Sequence, residues 1–304
     1  MNSVNGALEK IEIDNYDKVV TVNGRFTKNA TVAAWVKSSS KKLLLLEFGS
    51  TQEKFDVFEI SPHSMREIQN KIERFWNQYG VDKYQVLASN FMKKFVKTIT
   101  EKNLWRSNML DGHAPSKTTK KRCVFFASTE AEYAGVGDEI EAGNFRNQVE
   151  GFRGLLSALD PKEWEIYLRR HPKHPSVKNG DPEQHLWQEF ENKHGVYILL
   201  PESDVDSIEL ASGADLNVNF CSTIAMELIA IGITNVITLG PAPWNNLIPT
   251  RYCPNPILLK SFLSRQLDHL SEASILPWIT YINTFGESFK LFDFDPKKSS
   301  WKMR

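Results

Sequence analysis

The chain has 304 residues, 41% of them hydrophobic, which exceeds one average domain and suits two moderate cores. Lys plus Arg (37) balances Asp plus Glu (37), so a net charge of zero removes the general case for a nucleic-acid partner or an anionic membrane surface, and any phosphate must be held locally. Cys123, Cys221 and Cys253 are too few for a disulfide framework; with no CxxC pair to suggest zinc, no metal is expected, and a reducing cytoplasm fits. The start "MNSVNGALEKIEIDNYDK" lacks the features of a signal peptide, and no apolar run approaches the roughly 20 residues that span a bilayer.

From the N-terminus, "KVVTVNG" and "KLLLLEFG" read as strands with a helix from 26 to 37 between them, and "KFDVFEI" as a third strand. Residues 64–79 and 85–105 have the length and apolar spacing of helices. "LDGHAPSKTTKKR", residues 110–122, breaks the apolar periodicity with Gly, Pro, Ser, Thr and cations, and places a domain boundary between 1–115 and 116–304. Beyond it, "CVFFAS" is a strand, and Phe145, Val149, Phe152, Leu156 and Leu159 recur at helical spacing. "WEIYLRRHP" is a strand running into a loop, 182–194 a helix, "VYILLPES" a strand, "SIELASGA" a short helix, "LNVNFCS" a strand, 220–232 a helix and "NVITLG" a strand. Strands alternating with helices predict a parallel, doubly wound sheet with ligands at the carboxyl ends of its strands.

The polar residues of "FCSTIAMELIAIG" stand out in an otherwise apolar run. Ser222 and Thr223 fall where a helix begins, so they suit either simple N-capping or phosphate binding at free amides. Glu227, one turn on among apolar neighbours, needs donors such as ribose hydroxyls or a cation. "YLRRHPKHP" delivers Arg169, Arg170 and His171 to a strand end, where they suit an anionic ligand; an exposed loop histidine is the plainer alternative. "VYILLPESDVDSIEL" releases Glu202 and Ser203 after a strand, able to meet a base and hydroxyls, or to form a solvated turn with Asp206 or Ser207 as helix cap. "FFASTEAEYAGVG" offers Glu130 and Glu132 for acid-base chemistry or for solvation of a loop. In the first half, Asn23, Arg25 and Glu47 come to strand ends, where Arg25 and Glu47 could pair with each other.

Taken in order, NGR, EFG, SPHS, FFASTEAE, Gln148, RRHP, PESDVDSIELASGAD, CSTIAMELIAIG and TLGPAPW resemble the bacterial capsule and surface polysaccharide glycosyltransferases, of capsular Kdo-transferase type, from about residue 16 to 286. The resemblance implies a GT-B-like α/β fold of two Rossmann-like domains with parallel sheets: a partial acceptor-side domain (1–115), then a donor domain with C-terminal helices (116–304). It also implies that His171, Ser222 and Thr223 contact donor phosphates, that Glu227 meets the ribose, and that residues 201–203 border the base. Only about fifteen residues precede the NGR strand, so the chain reads as truncated at its N-terminus with the first sheet incomplete. EFG stands where an arginine-containing ERG is more usual, which removes a charge beside the acceptor.

The expected function is a metal-independent glycosyltransferase that needs no cofactor. It would move a sugar from a nucleotide-sugar donor, CMP- or CDP-linked, to a surface polysaccharide or lipid-linked glycan, in the cytoplasm and with at most peripheral contact to a membrane export or synthesis complex. Donor binding falls to Arg169, His171, Glu202, Ser203, Ser222, Thr223 and Glu227, and the acceptor's base to Glu47 or Glu130. The rivals are a sugar-nucleotide epimerase of similar fold and a non-catalytic nucleotide-binding remnant or partner subunit.

Overall fold

A computed structural model describes residues 2–24, 27–79, 81–100, 113–129, 139–171, 183–193, 195–265, 270–295 and 300–303. In chain order its elements begin with α1 (Asn2–Leu8), β1 (Lys18–Val22), α2 (Thr27–Lys37), β2 (Lys42–Phe48), β3 (Lys54–Phe58), α3 (Met65–Tyr79) and α4 (Val81–Thr100). There follow β4 (Lys121–Phe126), α5 (Gln148–Ala158), β5 (Trp164–Arg169), α6 (Gln184–Trp187), β6 (Val196–Leu199), α7 (Ser207–Ser212), β7 (Leu216–Asn219), α8 (Ile224–Ala230) and β8 (Val236–Thr238). The chain closes with α9 (Pro256–Leu263), α10 (Leu276–Thr284), β9 (Glu287–Ser288), β10 (Phe292–Asp295) and β11 (Ser300–Met303). Among the described residues no helix is long and apolar enough to cross a membrane.

Two compact units result, one of Met1–Tyr84 with Trp278–Arg304 and one of Gln85–Pro277, so the chain changes unit inside α4 and again inside α10. The polar stretch at 110–122 suggests a later boundary. Its described part is tied to the second unit by its own polar groups: Lys117 pairs with Asp215 at 2.8 Å, the Thr118 hydroxyl donates to Glu165 at 2.8 Å, and the Ser116 carbonyl accepts from Arg122 at 3.0 Å. Polar composition there reflects these side-chain bonds as well as solvent.

The first unit's sheet has the order β1-β2-β3-β9. β1 and β2 are parallel, joined through α2, with Val20 opposite Leu44. β2 and β3 are antiparallel, Leu45 opposite Phe58, because the short turn over 49–53 cannot reverse direction twice. β9 adds an antiparallel edge, Phe55 opposite Glu287. One face is closed by α2, whose Ala33 and Val36 pack with Leu43, Leu45 and Phe58. Val20, Val22 and Val57 remain 58, 50 and 38% exposed. Ser64 caps α3, its hydroxyl accepting from the Glu67 N–H at 3.0 Å, and Lys71 on that helix bonds Asp56 at 2.7 Å.

The second unit's five-stranded sheet, β6-β5-β4-β7-β8, is wholly parallel. β4 is central and buried from Arg122 to Phe126, as expected of a strand covered on both faces. α5 packs on it with a satisfied start: the Asn147 side chain accepts from the Glu150 N–H at 2.9 Å. Phe125, Phe152, Trp187 and Phe190 form an aromatic cluster, with the Phe152 and Phe190 rings edge to face at 4.8 Å. That cluster explains why the helix expected over 182–194 is short. Trp187 and Phe190 are both buried three residues apart, and the chain meets that spacing with one α-turn, α6, followed by a 3-10 turn at Gln188–Phe190.

At the opposite end of these strands, Arg122 and Glu165 form a 2.7 Å ion pair with each side chain 2% exposed. Removing one partner leaves the other charged and unmatched in the interior. Glu165→Ala is therefore expected to cost about 3–5 kcal/mol, read as a lower urea midpoint at unchanged m-value. The half-exposed Arg153–Glu189 pair is the control, and Glu189→Ala should cost under about 1 kcal/mol.

Candidate donor site at the sheet switch point

Strand order reverses at β4, with β5 and β6 on one side and β7 and β8 on the other. In open parallel sheets such a reversal opens a crevice beyond the carboxyl ends of the two diverging strands. The register fixes what borders it: Phe126 lies opposite Arg169 on β5 and Asn219 on β7. The segments leaving that level are Ala127–Ser128, Arg170–His171 and Phe220–Thr223. β5 and β7 stand two strand spacings apart, about 10 Å.

Asn219 shapes the turn between β7 and α8. Fully buried, its amide nitrogen donates to the Ile237 carbonyl at 3.0 Å and the Thr238 hydroxyl at 3.2 Å, while its oxygen accepts from the Ser222 N–H at 3.1 Å. Gly240 lets β8 approach, since a Cβ there would lie 2.5 Å from the Phe220 carbonyl oxygen. The turn therefore presents Ser222 and Thr223 in one conformation. Thr223 occupies the cap position of α8 but makes no side-chain cap bond, and the Ser222 hydroxyl is 3.5 Å from the Ile224 N–H, too long for a strong cap. The Thr223 hydroxyl instead lies 3.5 Å from Glu227, one turn on. Ala225, Met226, Leu228, Ile229 and Ala230 are buried, so α8 is polar only along Ser222, Thr223 and Glu227.

Of the cationic motif, Arg169 is buried and turns to the loop after β6. Its guanidinium donates to the carbonyls of Leu200, at 2.5 Å, and Ser203, at 3.1 Å, with the Ser207 hydroxyl at 3.5 Å. Burial pulls its pKa below the usual guanidinium value, an effect that Asp206, Asp204 and Glu202 oppose. Arg169 thus shapes the loop that carries exposed Glu202 and half-buried Ser203. Asp206 caps α7 by accepting from the Ile208 and Glu209 N–H groups at 2.7 and 3.0 Å, which settles which residue caps that helix. His171 is half-buried directly beyond β5. Trp244 is 1% exposed and belongs to the core.

Two side chains at the crevice escape a motif reading. Ser128 is 1% exposed, its N–H bonded to the Gln148 side-chain oxygen at 3.0 Å, and its hydroxyl has no hydrogen-bond partner among the described residues. Asn219 looks in sequence like one more strand residue, and only its place at the last position of β7 hints at its role.

In the first unit, Glu47 accepts from the Asn23 amide and from the Phe48 N–H, the latter at 3.0 Å. Arg25, its partner on sequence grounds, and Glu130 both lie outside the described residues.

An all-parallel sheet with a switch point, joined in one chain to a second α/β unit, defines a GT-B-like Rossmann-type fold. Among solved structures, the Thermosulfurimonas dismutans KpsC beta Kdo 2,4 transferase shares it, with a TM-score of 0.52 at 14% identity over 90% of this chain and 88% of that one. The beta Kdo 2,7 transferase of the same KpsC matches at TM-score 0.46 and 14% identity, over 91% and 79% of the two chains. A Methanocaldococcus jannaschii UDP-GlcNAc 2-epimerase matches at 0.39 and 12%, over 92% and 79%. No family model and no curated protein matches the sequence.

The cysteines supply a probe of the crevice. Burial pushes the Cys253 thiol up to about 12 and that of Cys123 higher still, whereas Cys221 is half-buried between Phe220 and Ser222. Native protein should react with Ellman's reagent at one thiol per chain, and Cys221→Ser should abolish that phase.

Proposed function

We propose that the chain is a glycosyltransferase that takes a sugar from a CMP- or CDP-linked donor and passes it to a surface polysaccharide or lipid-linked acceptor. The observation that carries this reading is the set of donors along the carboxyl edge at the switch point: the Ser222 and Thr223 hydroxyls where α8 begins, and His171 directly beyond β5. Departure of a nucleotide builds negative charge on its phosphate, and positioned N–H and O–H groups stabilise that charge with little reorganisation.

The remaining roles follow from position. Glu227 binds the donor ribose through its hydroxyls. Glu202 and Ser203 border the base on the loop that Arg169 holds, so Arg169 acts on the donor through that loop. The acceptor hydroxyl loses its proton to a carboxylate, Glu47 or Glu130, and any attachment to a membrane synthesis complex is peripheral. The fold shared with a Kdo transferase supports a sugar-transfer reading of this kind.

Calorimetric titration with CMP, CDP, UDP and GDP tests the donor site. A cytidine nucleotide should bind most tightly. Loss of one hydrogen bond to a charged phosphate costs about 1.5–3 kcal/mol, so Ser222→Ala and His171→Ala should each weaken binding by about 10- to 100-fold. Glu227→Ala should weaken CMP without affecting binding of inorganic phosphate. Failure of all four nucleotides to bind folded protein removes the donor-site reading.

A further inference from the structure

At the carboxyl end of the parallel β1–β2 pair, the Asn23 amide nitrogen donates to Glu47 Oε2 and lies 2.9 Å from His63 Nε2. Glu47 and His63 lie 24 and 40 positions from Asn23 in sequence, and the three sit at the ends of β1 and β2 and in the loop before α3. Asn23 is 7% exposed and has a left-handed backbone, φ +60, uncommon for any residue but glycine and most accessible to Asn. Its own N–H continues the ladder to the Leu46 carbonyl at 2.8 Å, which points the side chain back across the strand ends. A buried residue held in such a conformation by its surroundings marks a place where side-chain direction matters.

The amide orientation sets which histidine tautomer the bridge requires. An amide nitrogen carries two hydrogens, so Asn23 can donate one to the Glu47 carboxylate and the other to His63 Nε2. His63 must then accept at Nε2 and hold its proton on Nδ1. Reversing the amide would set its oxygen against the carboxylate. Glu47 keeps its second oxygen on the Phe48 N–H at 3.0 Å, which fixes the carboxylate plane.

We propose that His63 is a positioning residue that acts through Asn23 on Glu47, and that Glu47 so held is the proton acceptor of the glycosyl transfer. This rests on the transferase reading above. In the reaction the acceptor hydroxyl gives its proton to Glu47, its oxygen forms the new bond to the anomeric carbon, and the bond from that carbon to the donor phosphate breaks. The nucleotide leaves with that electron pair. His63 touches neither sugar; it holds the amide that keeps the carboxylate aimed.

Two measurements test this together. The 15N NMR spectrum of His63 should show the Nδ1–H tautomer in wild type and lose it in Asn23→Gly, which tolerates the positive φ while removing the bridge. Nucleotide release from CMP-, CDP-, UDP- and GDP-linked sugars, with sugar acceptors, should fall at least tenfold in kcat for His63→Ala with donor KM within twofold of wild type. His63→Gln, whose side-chain oxygen can accept from Asn23, should recover most of that loss, and Glu47→Gln should lose about 100-fold or more. An Nε2–H tautomer, an unchanged kcat in folded His63→Ala, or a wild type that binds nucleotide yet turns over no donor each overturns the inference. Absence of nucleotide binding marks instead a failure of the donor site.

Discussion

The second unit depends on how β7 ends. Asn219 joins three things through one buried amide: the spacing of β7 to β8, the turn into α8, and the direction in which the Ser222 N–H points. A buried amide without partners costs about 1–3 kcal/mol per unsatisfied group, so a conformation that breaks any of these bonds is disfavoured. The consequence is a turn tied to the sheet at the place where parallel sheets accept ligands. Its hydroxyls are exposed or half-exposed, and among the described residues each is held by a contact of 3.5 Å. Such hydroxyls can exchange weak internal bonds for strong ones to an anion at little cost.

The same logic separates Arg169 from His171, although they are two residues apart. Arg169 is the last residue of β5, so its side chain is buried against the sheet and its donors meet the carbonyls after β6. His171 lies past the strand end and is half-buried. Arg169 builds a loop, and the proposed donor site takes His171 as its ligand group. Charge alone does not distinguish them; their places on either side of the strand end do.

Much of the second unit was legible because its signals are local. β4 and β5 carry short apolar runs, β7 alternates Leu and Val with Asn, and the hydroxyl pair of 222–223 falls where α8 begins. The separation of Glu47 and Asn23 at the ends of neighbouring strands followed from strand assignment as well. What sequence missed involves partners distant along the chain: His63 against Asn23, Gln148 against Ser128, and the ion pair to Asp215 and hydrogen bond to Glu165 that tie down the polar stretch before β4. A polar run reads as a linker until its partners are known. The antiparallel strands of the first sheet had a usable sign in the brief turn at 49–53, and the broken helix around Trp187 had one in the three-residue spacing of two aromatic anchors.

The central claim is that the carboxyl edge between β4 and β7 is the donor site. A crystal structure of the chain with CMP tests it most directly. The account predicts the phosphate within hydrogen-bond distance of the Ser222 or Thr223 hydroxyl and the amides of their turn, with the ribose toward Glu227. CMP seated at the amino ends of those strands, or in the first unit, would contradict it.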